Sequence, residues 1–147
     1  MPTIISHAAV PLAIGRGLGV QAIGPRLLWT GVAASMLPDA DVLGLRLGIA
    51  YGDSLGHRGA THSLAFATLL GLVAWACARP LATRRLTAFL FIAFSAASHG
   101  LLDMLTDGGS GVALWWPWSD ERRGIEVLRS ELIGVWMPAI VAGVTLW

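Results

Sequence analysis

Apolar residues in this chain fall into long blocks, and the polar residues collect where the blocks end. The first block, residues 4–24, carries His7, Arg16 and several glycines and prolines; the second, residues 27–37, stops at Pro38. A bilayer core of about 30 Å requires roughly 20 helical residues. Each block is short for that purpose, so the pair is predicted to form a tilted or partly interfacial hairpin turning near Gly24-Pro25, where Gly-Pro is a strong punctuator. Pro38 disfavours helix through Leu37, which puts Asp39 and Asp41 just outside a helix end. A Gly-rich connection with Arg46, Tyr51 and Asp53 leads to His57-Arg58-Gly59-Ala60-Thr61-His62-Ser63. Residues 63–78 are uniformly apolar and read as a spanning helix if Thr61 or Ser63 caps its start. A short basic turn, Arg79-Pro80-Leu81-Ala82-Thr83-Arg84-Arg85, precedes a second spanning helix over residues 86–102, whose far end holds Ser98, His99, Asp103 and Asp107. Gly108-Gly109 is expected to end that helix. Residues 111–118 form an aromatic segment suited to a membrane interface. A polar stretch with Arg122, Arg123 and Arg129 then leads into a last apolar run, residues 132–147, broken at Pro138.

Composition reinforces the membrane reading. Of 147 residues, 55% are hydrophobic, and the mean hydropathy is +0.67, outside the usual soluble range. The length suits one domain over residues 1–147, an all-α, small polytopic membrane bundle of about four to five apolar helices. The N-terminus lacks a basic segment before its apolar block, so the first helix is expected to stay in the mature protein. Basic residues are all arginine, and with a formal net charge of +1 no basic run is long enough to track nucleic-acid phosphates. The single Cys77 excludes a disulfide within the chain and gives no support for a Cys-based zinc site.

Placed on this hairpin scheme, the charges separate. His7, Asp39, Asp41, His57, His62, His99 and Asp103 fall at one membrane face, and Arg16, Arg26, Arg79, Arg84 and Arg85 at the other, with no acid among them. His99 and Asp103, four apart on a helix, share a face and can hold one ion. Singly, these residues have ordinary readings: a turn pair for Asp39 and Asp41, an interhelical hydrogen bond for His99 with Asp103. Jointly they point to a metal centre, because ionisable residues within membrane segments are costly and default to function. Mixed His/Asp sets suit zinc first, with manganese or iron next. Seven donors exceed the four of a closed structural zinc site, so two ions are expected, generating hydroxide for hydrolysis. Arg58 is then the candidate clamp for an anionic substrate, with Arg122 or Arg123 able to help. His57, a ligand or a proton carrier, and Asp107, one turn beyond Asp103, complete the catalytic candidates; Thr61 and Ser63 cap the helix or orient ligands.

The ordered set Pro38-Asp39-Ala40-Asp41, His57 to Ser63, Ser98-His99-Gly100-Leu101-Leu102-Asp103 with Thr106, and Gly111-Val112-Ala113-Leu114 with Trp116-Pro117 resembles the YdjM/YbcI family of bacterial inner-membrane proteins, described as predicted metal-dependent hydrolases. The resemblance implies a multi-pass protein of the inner membrane and carries His7, Asp39, Asp41, His57, His62, His99 and Asp103 over as presumed metal or catalytic residues. More distantly, the donor set is similar to that of the all-helical zinc-dependent phospholipases C and nucleases. The expected activity is hydrolysis of a phosphoester or other ester in an amphiphilic or lipid-linked substrate, with membrane lipids as partners. The same donors would also suit a metal-ion carrier or sensor, or a structural membrane protein, though a far side lined only with arginines disfavours a cation pathway. The compact turn at residues 79–85 leans that end to the cytoplasm and the polar cluster to the periplasm, although Arg46, Arg58, Arg122, Arg123 and Arg129 give the other face an equal count of five.

Overall fold

The computed structural model describes residues 4–106 and 110–125, together with residues 139, 142 and 143 near the C-terminus. The fold is all-helical, with no strand among the described residues. A 3-10 turn, Ile4–Ala8, leads into α1 (Ala9–Leu18), followed by α2 (Pro25–Met36), a 3-10 turn Leu37–Asp41, the short α3 (Val42–Arg46), a 3-10 turn Ala60–His62, α4 (Leu64–Ala76) and α5 (Arg85–Leu105). The first hairpin turns where expected, and Pro25 occupies the first turn of α2, where its missing N–H costs nothing.

Two helix predictions need correcting. The apolar run over residues 63–78 yields a helix of only 13 residues, about 20 Å long against a bilayer core of about 30 Å. Its end unwinds because Pro80 disfavours helix at Arg79, and Ala82 turns the chain with a φ of +53°. Conversely, α5 runs 21 residues, about 31 Å, and takes in Asp103. Among the described residues it is the one helix long and apolar enough to cross a membrane. Pro38 does end α2 near Leu37, yet it starts a 3-10 turn that leads directly into α3. The expected break at Gly108-Gly109 and the final apolar run lie largely outside the described residues, and α5 already stops at Leu105.

The core packs α1 and α2 against α5 through Leu12, Leu27, Leu28, Phe91 and Ile92. On its other side α5 meets α4 along a seam of small residues, Ala67, Gly71 and Ala74. A Cβ at Gly71 would lie 2.8 Å from the Ala93 Cβ and 3.0 Å from the Phe89 carbonyl. Small residues of this kind let helix backbones approach closely enough for dispersion contacts to hold a bundle where lipid is the solvent. Ser63 caps α4, its hydroxyl accepting from the Phe66 amide at 3.1 Å.

The two hairpin turns, residues 19–24 and 77–84, meet at one end of the bundle, where the Arg26 guanidinium donates to the Pro80 carbonyl at 3.3 Å. The three 3-10 turns and the C-terminal end of α5 gather at the other. Residues 110–125 close over that second end through amide bonds from Ala113 to the Arg58 carbonyl (3.0 Å), from Leu64 to the Leu114 carbonyl (3.0 Å), and between Val112 and Arg123.

Candidate metal centre

Three 3-10 turns and one α-helix converge on the polar cluster. His99 and Asp103 project from α5, one helical turn apart. Asp39 and Asp41 come from the turn after α2, His62 from the turn before α4, and His7 from the turn before α1. Gly100 makes the approach of His62 possible, since a Cβ there would run into the His62 carbonyl oxygen. Only a glycine beside His99 lets the turn before α4 lie flat on α5.

The distances define a compact donor set. His62 Nε2 and His99 Nε2 are 3.1 Å apart. Asp39 Oδ1 lies 3.2 Å from His99 Nε2 and 3.7 Å from His62 Nε2. Asp103 Oδ2 lies 3.5 Å from His62 Nε2 and 3.8 Å from His99 Nε2. Four donors at zinc–ligand lengths of about 2.0–2.1 Å around a tetrahedron are about 3.3 Å apart, close to the spacing observed. The set Asp39, His62, His99 and Asp103 therefore fits a single divalent ion in size and chemistry, and Asp41, His57 and His62 form a second group of potential donors.

Hydrogen bonds around the cluster fix the imidazole tautomers. His99 Nδ1 lies 2.6 Å from the Ser35 carbonyl oxygen; a carbonyl only accepts, so Nδ1 carries the proton and the Nε2 lone pair faces the cluster. His62 Nδ1 is 3.2 Å from Asp41 Oδ2 and turns its own Nε2 inward by the same logic. Two inward lone pairs at 3.1 Å repel unless a proton or a metal ion lies between them. Burial alone would lower the His62 pKa, but the carboxylates of Asp103, Asp39 and Asp41 outweigh it and raise it to about 10. Burial likewise opposes the charge on Asp39, yet bonds with His62 and His99 hold it well below the usual carboxylate range. Asp41 is also held low against burial, by His57, His62 and Thr61.

Asp41 receives four donors. Its Oδ1 is 2.6 Å from His57 Nδ1, and its Oδ2 accepts from the Thr61 hydroxyl at 2.6 Å, from the Arg58 amide at 3.3 Å and from His62. Thr61 thus orients a carboxylate, as expected for a residue of its kind beside ligands. His7 stacks on His99 with ring centroids 3.6 Å apart; its Nε2 reaches Asp103 Oδ1 at 3.6 Å, while its buried Nδ1 has no partner among the described residues.

The arginines sit differently from the sequence expectation. Arg58 is 1% exposed, held in a left-handed conformation with φ +64°, and its Nε lies 3.2 Å from Asp103 Oδ2. Its charge faces a carboxylate of the cluster. Arg122 donates to the carbonyls of His57 (2.8 Å), Tyr51 (3.1 Å) and Asp53 (3.0 Å), tying down the loop before the site. Arg123 pairs with Glu121 at the surface. Asp107 lies outside the described residues. Sequence reasoning missed the Ser35 carbonyl and the carbonyl clamp of Arg122; a main-chain acceptor and a tertiary hydrogen bond leave no local signal.

A helical bundle with one membrane-length helix among the described residues and a buried His/Asp cluster at one end defines the class, a helical protein with a candidate metal centre. The chain belongs to the YdjM inner membrane protein family, whose model matches residues 1–146. It is 44% identical to the inner membrane protein YbcI of Escherichia coli (strain K12), in an alignment covering 100% of this chain and 98% of that protein. No solved structure matches it.

Proposed function

We propose that the chain is a multi-pass inner-membrane hydrolase that holds a divalent transition metal, zinc foremost, on Asp39, His62, His99 and Asp103, and cleaves a phosphoester or other ester of a lipid or lipid-linked molecule. The observation that carries this reading is the pair of Nε2 lone pairs converging at 3.1 Å between two carboxylates, with both tautomers pinned from outside. An ion held there would supply Lewis-acid polarisation and, once one of the four donors yields its place to water, an acidified water. The residues of the chain do the rest. Asp41 orients His62 and, by its charge, makes that imidazole a stronger donor, the usual role of a carboxylate behind a metal-ligating histidine. Three donors crowd Asp41 Oδ2 and His57 engages Oδ1, so in the single-ion arrangement its oxygens serve protein partners. The Asp41–His57 pair is arranged to take up and return a proton. Arg58 holds Asp103 in place, and His7 backs His99 by stacking. A site at one end of the bundle, on the periplasmic side if the basic turns face the cytoplasm, suits an amphiphilic substrate already concentrated at the membrane.

One observation favours a second arrangement. The group Asp41, His57 and His62 would hold a second ion if His62 bridged both through its two nitrogens. Metal analysis of the purified chain separates the two: one tightly held zinc per chain supports the single centre, two support the bridged pair, and none under metal-replete conditions overturns both. Hydrolysis of phospholipids and soluble phosphoesters by the loaded protein, lost in a folded His99→Ala variant, tests the enzyme reading. A metal-loaded protein inert toward the whole panel refutes it.

A further inference from the structure

The end of the bundle opposite the cluster has chemistry of its own. The hairpin turns line a half-open cavity of about 660 Å³, bordered by Val20, Gln21, Gly24, Arg79, Thr83 and Arg84, among others. Arg16, Arg26 and Arg85 belong to the same end, and all five arginines are exposed. Among the described residues no carboxylate is paired with any of them; Arg26 donates instead to the Pro80 carbonyl, and Arg85 lies over the Trp75 ring, 4.7 Å from its centroid. Both α2 and α5 begin here, and neither has a side-chain cap: Gly24 offers no acceptor and Arg84 is itself a cation. First-turn N–H groups without an intrahelical acceptor are therefore left facing this region. Arginines, free amides and threonine hydroxyls around one cavity form a receptor for a phosphate.

We infer that this cavity binds the headgroup of an anionic phospholipid. Along α5, Arg85 and Asp103 are about 27 Å apart, so a bilayer whose one surface meets the cluster has its other surface at the arginines. Trp75 beside Arg85 is the residue type favoured at that depth. The occupant is accordingly the phosphodiester of a lipid in the leaflet opposite the cluster, with its chains along the outer faces of the helices. This inference rests on the membrane reading of the bundle and is independent of the hydrolase reading.

The test is intact-protein mass spectrometry of the full chain in mild detergent, with chelator present, after exposure to vesicles of equal phosphatidylglycerol and phosphatidylcholine. The expected result is retention of phosphatidylglycerol over phosphatidylcholine by roughly thirtyfold, the order set by two basic residues near a headgroup. The preference should fall to near parity in Arg79→Gln/Arg84→Gln and persist in Arg123→Ala, whose side chain lies elsewhere and pairs with Glu121. Equal retention by the wild-type chain overturns the proposal without any variant, as does a double variant that keeps the preference. Displacement of the lipid by a comparable concentration of inorganic phosphate would overturn the lipid assignment in favour of a free-anion site. Because chelator removes any metal, the outcome does not depend on the centre at the other end.

Discussion

Asp41→Asn separates a metal ligand from a residue that orients one. The substitution keeps the shape and one carbonyl acceptor, so the Thr61 hydroxyl and His62 Nδ1, at 2.6 Å and 3.2 Å from Oδ2 in the native protein, retain a partner. What is lost is the negative charge behind His62 and one of two accepting oxygens. Replacing a carboxylate behind a metal-ligating histidine costs about 10–100-fold in affinity, or about 1.4–2.7 kcal/mol. The assay is competitive zinc titration of the detergent-solubilised chain against a chromophoric chelator, wild type beside Asp41→Asn, with His99→Ala as the variant lacking a direct ligand. We expect Asp41→Asn to fall within that window and His99→Ala well below it. Unchanged affinity in Asp41→Asn would show that Asp41 does not act on the metal at all. A loss equal to that of His99→Ala would make it a direct ligand and restore the two-ion arrangement.

Three further outcomes follow from the geometry. Zinc should displace about one proton from the apo protein near neutral pH, because the raised His62 pKa of about 10 means that its extra proton competes with the metal; affinity should rise with pH up to that value, and calorimetry in buffers of different ionisation enthalpy that finds no proton release and a flat affinity between about pH 6 and 8 would refute it. Gly100→Ala should lift the His62 turn off α5, costing about 1–3 kcal/mol and weakening zinc binding together with thermal stability, whereas a stable variant with native zinc affinity would show the close approach to be dispensable. Arg122→Ala removes three bonds to carbonyls and should loosen residues 51–57 by about 2 kcal/mol, visible as faster proteolysis or amide exchange there with metal content retained.

Much of this arrangement is legible along the chain because it depends on local rules. Gly24-Pro25 marks the first turn, the i, i+4 spacing of His99 and Asp103 puts both on one face of α5, and Ser63 stands where a cap is needed. Once the turns are placed, the gathering of His7, Asp39, Asp41, His57, His62, His99 and Asp103 at one end follows. What stays hidden is set by tertiary contact. The apolar run of α4 does not reveal that its helix stops at Ala76, because hydrophobicity continues through the turn. Arg58 looks like a free clamp until its left-handed backbone and burial turn it toward Asp103. The bonds that Asp41 takes from Thr61, His57 and the Arg58 amide have no sequence signature either.

The orientation of α5 carries an electrostatic consequence. A helix has a partial positive charge at its N-terminus and a partial negative charge at its C-terminus, so cations are favoured at the end and anions at the start, each by about 0.3–1 kcal/mol near the surface. In α5 the order is reversed: Arg84 and Arg85 stand at the start, Asp103 lies in the last turn, and neither end has a side chain of the favoured sign. At the C-terminal end the buried Arg58 guanidinium, 3.2 Å from Asp103 Oδ2, sets a positive charge against the dipole and the carboxylate, whereas at the start no carboxylate among the described residues is paired with Arg84 or Arg85. The field of α5 is therefore lopsided: one end is balanced within the protein, and the other is left for water or a mobile anion to balance.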